Sequence, residues 1–138
     1  MKWRVNPDWR IEGGYAYIHI DALLVNGSTN NDAKELAELS TPSNQITLRS
    51  SYDLNSRTEL DIVLRYVDKI IADNSAWVPE YWEMDIRLAR AITDDIELSL
   101  VAENLLNDSH KEYGRSTYVV TQFTEVERSA KIKLEWHF

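Results

Sequence analysis

The sequence predicts an all-β protein: an antiparallel up-and-down meander of about six long strands. Three observations carry that prediction. Apolar and polar residues alternate with a period of two in six separate segments. The connections between those segments are alternately short and long. The segments run to about 11–17 residues, against about 5–6 for strands of ordinary globular domains.

Taken in order, "MKWRV" sets Met1, Trp3 and Val5 against Lys2 and Arg4, and reads as the tail of one further strand. The first long segment, "WRIEGGYAYIHI", sets Trp9, Ile11, Tyr15 and Tyr17 against Arg10, Glu12, Gly14 and Ala16. Gly13-Gly14 within it predicts a bulge or a close backbone approach. "QITLRSSYDL" sets Ile46, Leu48, Tyr52 and Leu54 against Gln45, Thr47, Arg49 and Asp53. "RTELDIVLRYVDKI" sets Leu60, Ile62, Leu64 and Tyr66 against Glu59, Asp61, Val63 and Arg65. "YWEMDIRLARAI" sets Trp82, Met84, Ile86 and Leu88 against Glu83, Asp85, Arg87 and Ala89. "IELSLVAENLL" sets Ile96, Leu98, Leu100 and Ala102 against Glu97, Ser99 and Glu103. The closing "TEVERSAKIKLEWHF" puts Val126, Ala130, Ile132, Leu134, Trp136 and Phe138 on one side and only polar residues on the other. A helical period fits only "NDAKELAEL", with Asp32 near its start.

Turn chemistry marks three tight connections: "NPD" before Trp9, Asn55-Ser56, and Thr93 to Asp95. The other three are long, at 26–43, 72–78 and 107–123. In a meander, alternate connections lie at opposite ends, so the short turns gather at one rim and the long loops at the other.

Composition narrows the function classes. The chain has 138 residues, 43% hydrophobic and 28% charged, which is enough apolar surface to fold as one domain. Its net charge of −8 argues against a nucleic-acid partner. The absence of cysteine excludes disulfides, thiolate catalysis and cysteine zinc sites. No apolar run is long enough for a transmembrane helix, but strands that cross a bilayer escape such averages. "MKWRVNPDWR" lacks the apolar core of a secretory leader, so the protein is expected either to stay in the cytoplasm or to lack its real start.

A soluble sheet also alternates, burying one face. Long strands, short turns opposite long loops, and a polar face bearing both signs of charge (Glu59, Asp61, Arg65, Glu83, Asp85, Arg87, Lys131, Lys133, Glu135) favour an open part of a transmembrane β-barrel. Aromatics cluster toward both ends, Trp9, Trp136 and Phe138 at the short-turn end and Tyr17, Tyr66 and Trp82 at the other, as interfacial belts do.

The stretches "LRYVD", "VPEYWEMDIRLA", "ENLLND" and the closing strand ending on Phe138 resemble the C-terminal end of TonB-dependent outer-membrane receptors. The similarity runs from about Trp9 to Phe138. It implies the last six strands of a 22-stranded barrel, residues 1–138 being one partial barrel domain without plug or TonB box. It also implies an outer-membrane location in Gram-negative bacteria and uptake of a scarce ligand such as an iron-siderophore. The implied partners are outer-membrane lipid, the rest of the barrel and its plug, the TonB system and the barrel-assembly machinery. In this family the final strand carries an assembly signal, matched here by Phe138, Trp136, Leu134, Ile132 and Ala130. No catalytic residue, metal or cofactor is expected. Six strands cannot close a membrane barrel, for which about eight is the minimum. The chain is therefore expected to be a truncated gene or an excised fragment.

Other candidates are weaker. His19, His110 and His137 show no metal-ligand spacing. His110, with Lys111, Glu112 and Tyr113, reads as ordinary loop polarity. Glu83 and Asp85 read as part of a charge ladder with Arg87 and Glu59 or Asp61 rather than as a catalytic pair. Asn26 and Asn107 begin glycosylation sequons but read as turn residues. The rival to the membrane reading is a soluble lipocalin-like sheet, whose apolar set would enclose a ligand cavity.

Overall fold

The computed structural model describes residues 1–23, 27, 41–72, 76–112 and 125–138. The expected helix at "NDAKELAEL" and the sequon at Asn26 lie outside the described residues. One antiparallel sheet of seven strands dominates. Its strands are β1 (Lys2–Asn6), β2 (Trp9–Tyr17), β3 (Asn44–Asn55), β4 (Thr58–Val67), β7 (Tyr81–Ala91), β8 (Ile96–Glu103) and β11 (Ser129–Trp136), paired in that order. Two small hairpins extend it: β5 (Ile70–Ala72) with β6 (Ala76–Val78), and β9 (Ser109–Lys111) with β10 (Glu125–Glu127). The long strands and the extra segment at Met1 to Val5 therefore form as the alternation predicts.

Strand length differs from expectation. The six strands after β1 hold 8 to 12 residues within the main sheet. The longer alternating runs are interrupted at Asp68-Lys69, Pro79-Glu80 and Arg128, and their outer ends pair as the small hairpins. Proline has no N–H to give a ladder, and Asp68 turns its carboxylate back onto the Lys69 amide at 3.0 Å.

Register fixes two faces. One row of cross-strand partners runs Trp3, Ile11, Ser50, Ile62, Ile86, Ala102, Ala130. A second runs Trp9, Tyr52, Leu60, Leu88, Leu100, Ile132. A one-residue slip would send every one of these side chains to the other face. Bulges occur between Arg4 and Asn6 and between Asp53 and Asn55, each beside a short turn. The bulge expected at Gly13-Gly14 is absent: their pairing with Leu48 and Thr47 is regular. No tight approach explains these glycines either, since a Cβ on Gly13 would meet Leu48 at 3.9 Å and one on Gly14 would meet open space.

The three short turns share one rim, and a backbone bond ties each to the end of a nearby strand. Asp53 N donates to Asp8 O at 2.8 Å, Ala91 N to Arg57 O at 2.9 Å, and His137 N to Asp95 O at 2.9 Å. Asn6 and Asn55 brace their own turns by accepting from the amides of Asp8 and Arg57.

Among the described residues no helix is long and apolar enough to cross a membrane, which leaves crossing by strands open. The sheet also lacks a dry centre. The main-sheet residues that are buried, Val67, Ala89 and Ser99, all lie on the charged face. The apolar face is uncovered: Leu100 is 51% exposed, Leu134 66% and Ile132 77%.

Candidate functional site

The uncovered face is the first candidate among the described residues. Leu48, Tyr52, Leu88, Leu98, Leu100, Ile132 and Leu134 stand on it, all exposed, across four strands. A contiguous apolar surface of this kind marks contact with another apolar phase. Aromatic rings bound it. Tyr66 and Trp82 meet at 5.0 Å near the long-loop rim, and Trp136 and Phe138 at 6.0 Å near the short-turn rim. Trp9 packs edge-on against Tyr52 and donates its indole N–H to Ser50 Oγ at 2.9 Å. Among the described residues the apolar set does not close on a cavity, so the lipocalin-like arrangement is not favoured.

The closing strand carries the expected signal residues in the expected alternation. Ala130, Ile132, Leu134 and Trp136 oppose Ala102, Leu100, Leu98 and Ile96, so all four share the apolar face. Phe138 follows the strand and is fully exposed apart from its contact with Trp136. β11 lies at the margin of the sheet, with β8 on one side.

The opposite face is a charge ladder. Arg10 donates to Asp53 at 3.1 and 3.2 Å and to Glu59 at 3.1 Å. Glu59 also faces Arg87 at 3.8 Å. Arg87 in turn pairs with Asp61 at 3.1 Å and with Glu97. Ser51 donates to Asp61 at 2.5 Å, and Ser50 accepts from the Trp9 indole. Further along, Lys131 and Ser129 both bond Glu103, at 2.5 and 2.9 Å. Asp85 stands apart from the ladder and accepts from the Asn104 amide at 3.0 Å. Most of these groups sit between exposed and buried, while Lys131 is exposed.

At the long-loop rim the charged face holds a second cluster. Arg65 donates to Glu83 at 2.5 and 2.9 Å and to Glu112 at 2.8 Å. Its guanidinium lies 5.7 Å from the centre of the Tyr81 ring. Tyr81 stacks on His110 at 4.1 Å with 27° between the planes. His110 is only 8% exposed, and neither ring nitrogen has a hydrogen-bond partner. A buried polar group left so costs about 1–3 kcal/mol. Asn104 builds the platform. It is fully buried with φ of 53°, donates its side-chain amide to Val126 O at 2.8 Å, and so ties β10 to the end of β8. Asn107, expected as a turn residue, instead ties its segment to β7, donating to Trp82 O at 2.5 Å and to Asn104 Oδ1 at 3.2 Å.

Sequence reasoning found the ladder and the apolar face but missed this cluster. Glu83 and His110 belong to different segments, and only the β9–β10 pair folding over Tyr81 unites them. One signal was present: His110 and Glu112, two apart on extended chain, project to the same side.

A single-layer sheet, apolar outside and charged within, is the architecture of a β-barrel wall. No family model matches the chain. Among solved structures it is similar to the siderophore receptor PiuA from Acinetobacter baumannii, at 21% identity and a TM-score of 0.73. The match covers 98% of this chain and 20% of that one, so the chain spans about one-fifth of the receptor's length and has the fold of that portion.

Proposed function

We propose that the chain is wall and loop-base of an outer-membrane receptor that imports a scarce ligand, in the manner of an iron-siderophore transporter. The observation that carries this reading is the bare apolar face. Seven strands present it without any cover from the described residues, while the opposite face pairs its charges. Left in water, that face would promote association; against lipid tails it is stabilising. The remaining strands of a barrel would satisfy the margins at β1 and β11, whose free backbone groups are costly in hydrocarbon. The receptor's plug would meet the Arg10, Glu59, Arg87 ladder, and an inner-membrane TonB system would supply the energy. The protein would perform no covalent chemistry of its own. Ala130, Ile132, Leu134, Trp136 and Phe138 would present the closing strand to the barrel-assembly machinery.

Single cysteines test the orientation in outer-membrane preparations. Cysteines at Leu48, Leu100 and Ile132 should react with a lipid-soluble maleimide and resist a charged one. Cysteines at Thr47 and Arg49, on the other face, should show the reverse. Equal reaction of both sets with the charged reagent contradicts the membrane reading.

A further inference from the structure

We infer that Glu83, His110 and Glu112 form a binding site for a first-row divalent cation of the zinc type, at the long-loop rim of the charged face. The three residues bring one ligand atom each to within 4.8 Å of one another. One imidazole nitrogen with two carboxylate oxygens suits zinc and its neighbours, and suits calcium or magnesium poorly because these prefer oxygen alone. Zinc bonds of about 2.0–2.2 Å require each donor to move inward by only about 0.8 Å. Glu112 follows β9 rather than belonging to it.

The unpartnered imidazole is the independent sign of a ligand. The His110 side chain is 6% exposed and its Nε2 lies 3.7 Å from Glu112 Oε1, beyond hydrogen-bond reach. Its ring is fixed by stacking on Tyr81 and by pairing of His110 with Val126 across the hairpin. A buried, oriented, unbonded nitrogen beside two carboxylates is satisfied by a cation.

Arg65 bonds Oε2 of Glu83 and Oε1 of Glu112, the latter being also the oxygen 3.7 Å from His110 Nε2, so a cation would share that carboxylate with the guanidinium. It holds the two carboxylates in line, as outer partners of metal ligands do. With a neutral imidazole the cluster carries two negative charges against one positive, which a divalent ion reverses.

The inference is independent of which face meets lipid. The test is zinc titration of the full-length protein in detergent, read by competition with a fluorescent chelator and by X-ray absorption at the zinc edge. The expected result is one ion bound at micromolar or tighter affinity, with one imidazole and oxygen donors around it and at least tenfold selectivity over magnesium. His110→Ala should weaken binding tenfold or more, and Glu83→Gln and Glu112→Gln should each do so with the imidazole retained. Circular dichroism of each variant confirms that the sheet is intact, and the glutamine variants stand in where the alanine variant misfolds. Wild-type affinity in all three variants, absence of an imidazole around the zinc, or magnesium competing at equal concentration would each overturn the site.

Discussion

Leu100→Arg measures the assignment of faces directly. Leu100 is the fifth residue of eight in β8 and stands between Leu88 and Ile132 on the bare face. The neighbouring strand β7 has 11 residues. At about 3.3 Å per residue and a tilt near 45°, such a strand spans roughly 26 Å along the membrane normal, close to a barrel's apolar band. Leu100 pairs with Leu88, the eighth of those 11 residues, so it sits about 5 Å from the middle of the band, toward the short-turn rim but well inside it. Arginine at that depth costs about 2–4 kcal/mol, or roughly a 30- to 900-fold loss in the folding equilibrium. Thr47→Glu is the matched control. It lies on the charged face opposite Arg65 and should cost less than about 0.5 kcal/mol. The assay is urea unfolding of the receptor in lipid vesicles, followed by tryptophan fluorescence. On a water-exposed surface Leu100→Arg would be nearly neutral, because a half-exposed leucine has little to lose there. A cost below about 0.5 kcal/mol for Leu100→Arg, or an equal cost for both variants, would refute the assignment of faces.

Four further predictions follow from named contacts. On the proposed reading, Phe138→Ser should lower outer-membrane levels of the protein severalfold on immunoblots while its synthesis is unaffected; unchanged levels would refute the proposed assembly role of the closing strand. Arg87→Met leaves Glu59, Asp61 and Glu97 facing one another and should cost about 1–3 kcal/mol in urea unfolding. Adding Asp61→Asn should restore part of that loss, with a coupling of at least about 0.5 kcal/mol, whereas strict additivity would mean the ladder is not a network. Asn104→Ala should raise hydrogen exchange in Ser109–Lys111 and Glu125–Glu127 well above that in β8, since the tie to Val126 O is cut. Asp68, beyond the end of β4, is held below its ordinary value of 3.8, chiefly because the Asn44 amide donates to it at 2.8 Å. A carboxylate depressed in the folded state stabilises above its unfolded value and loses that contribution as pH falls through the folded one. The long-loop rim should therefore hold at neutral pH and loosen only below about pH 3.8, a dependence that Asp68→Asn removes when followed by NMR of nearby amides.

The faces, the pairing order and the rim of short turns were legible because each depends on a local rule. Alternation assigns Ile132 or Leu64 to a face whatever the rest of the chain does, and asparagine and proline announce their turns at Asn6-Pro7 and Asn55. The charge ladder was half legible. That Glu59, Asp61 and Arg87 share a side follows from parity, but that Glu59 bridges Arg10 and Arg87 follows from register. Strand ends were less legible, because Arg128 and Asp68 break the ladder without breaking the alternation. His110 was misread as loop polarity since its burial comes from Tyr81, 29 positions earlier, and from a hairpin whose second strand lies beyond a long connection.

The order in which the strands lie has a consequence for how such walls change size. Every strand of the main sheet borders the one that precedes it among the sheet's members. Inserting or deleting a hairpin thus leaves all other neighbours in place and keeps the inside-outside parity, because two strands are gained or lost together. The circumference can then change in steps of one hairpin, with no rewiring of the residues that remain. A wall built this way is inherited in pairs of strands, and its width is free to drift while its cross-section chemistry stays the same.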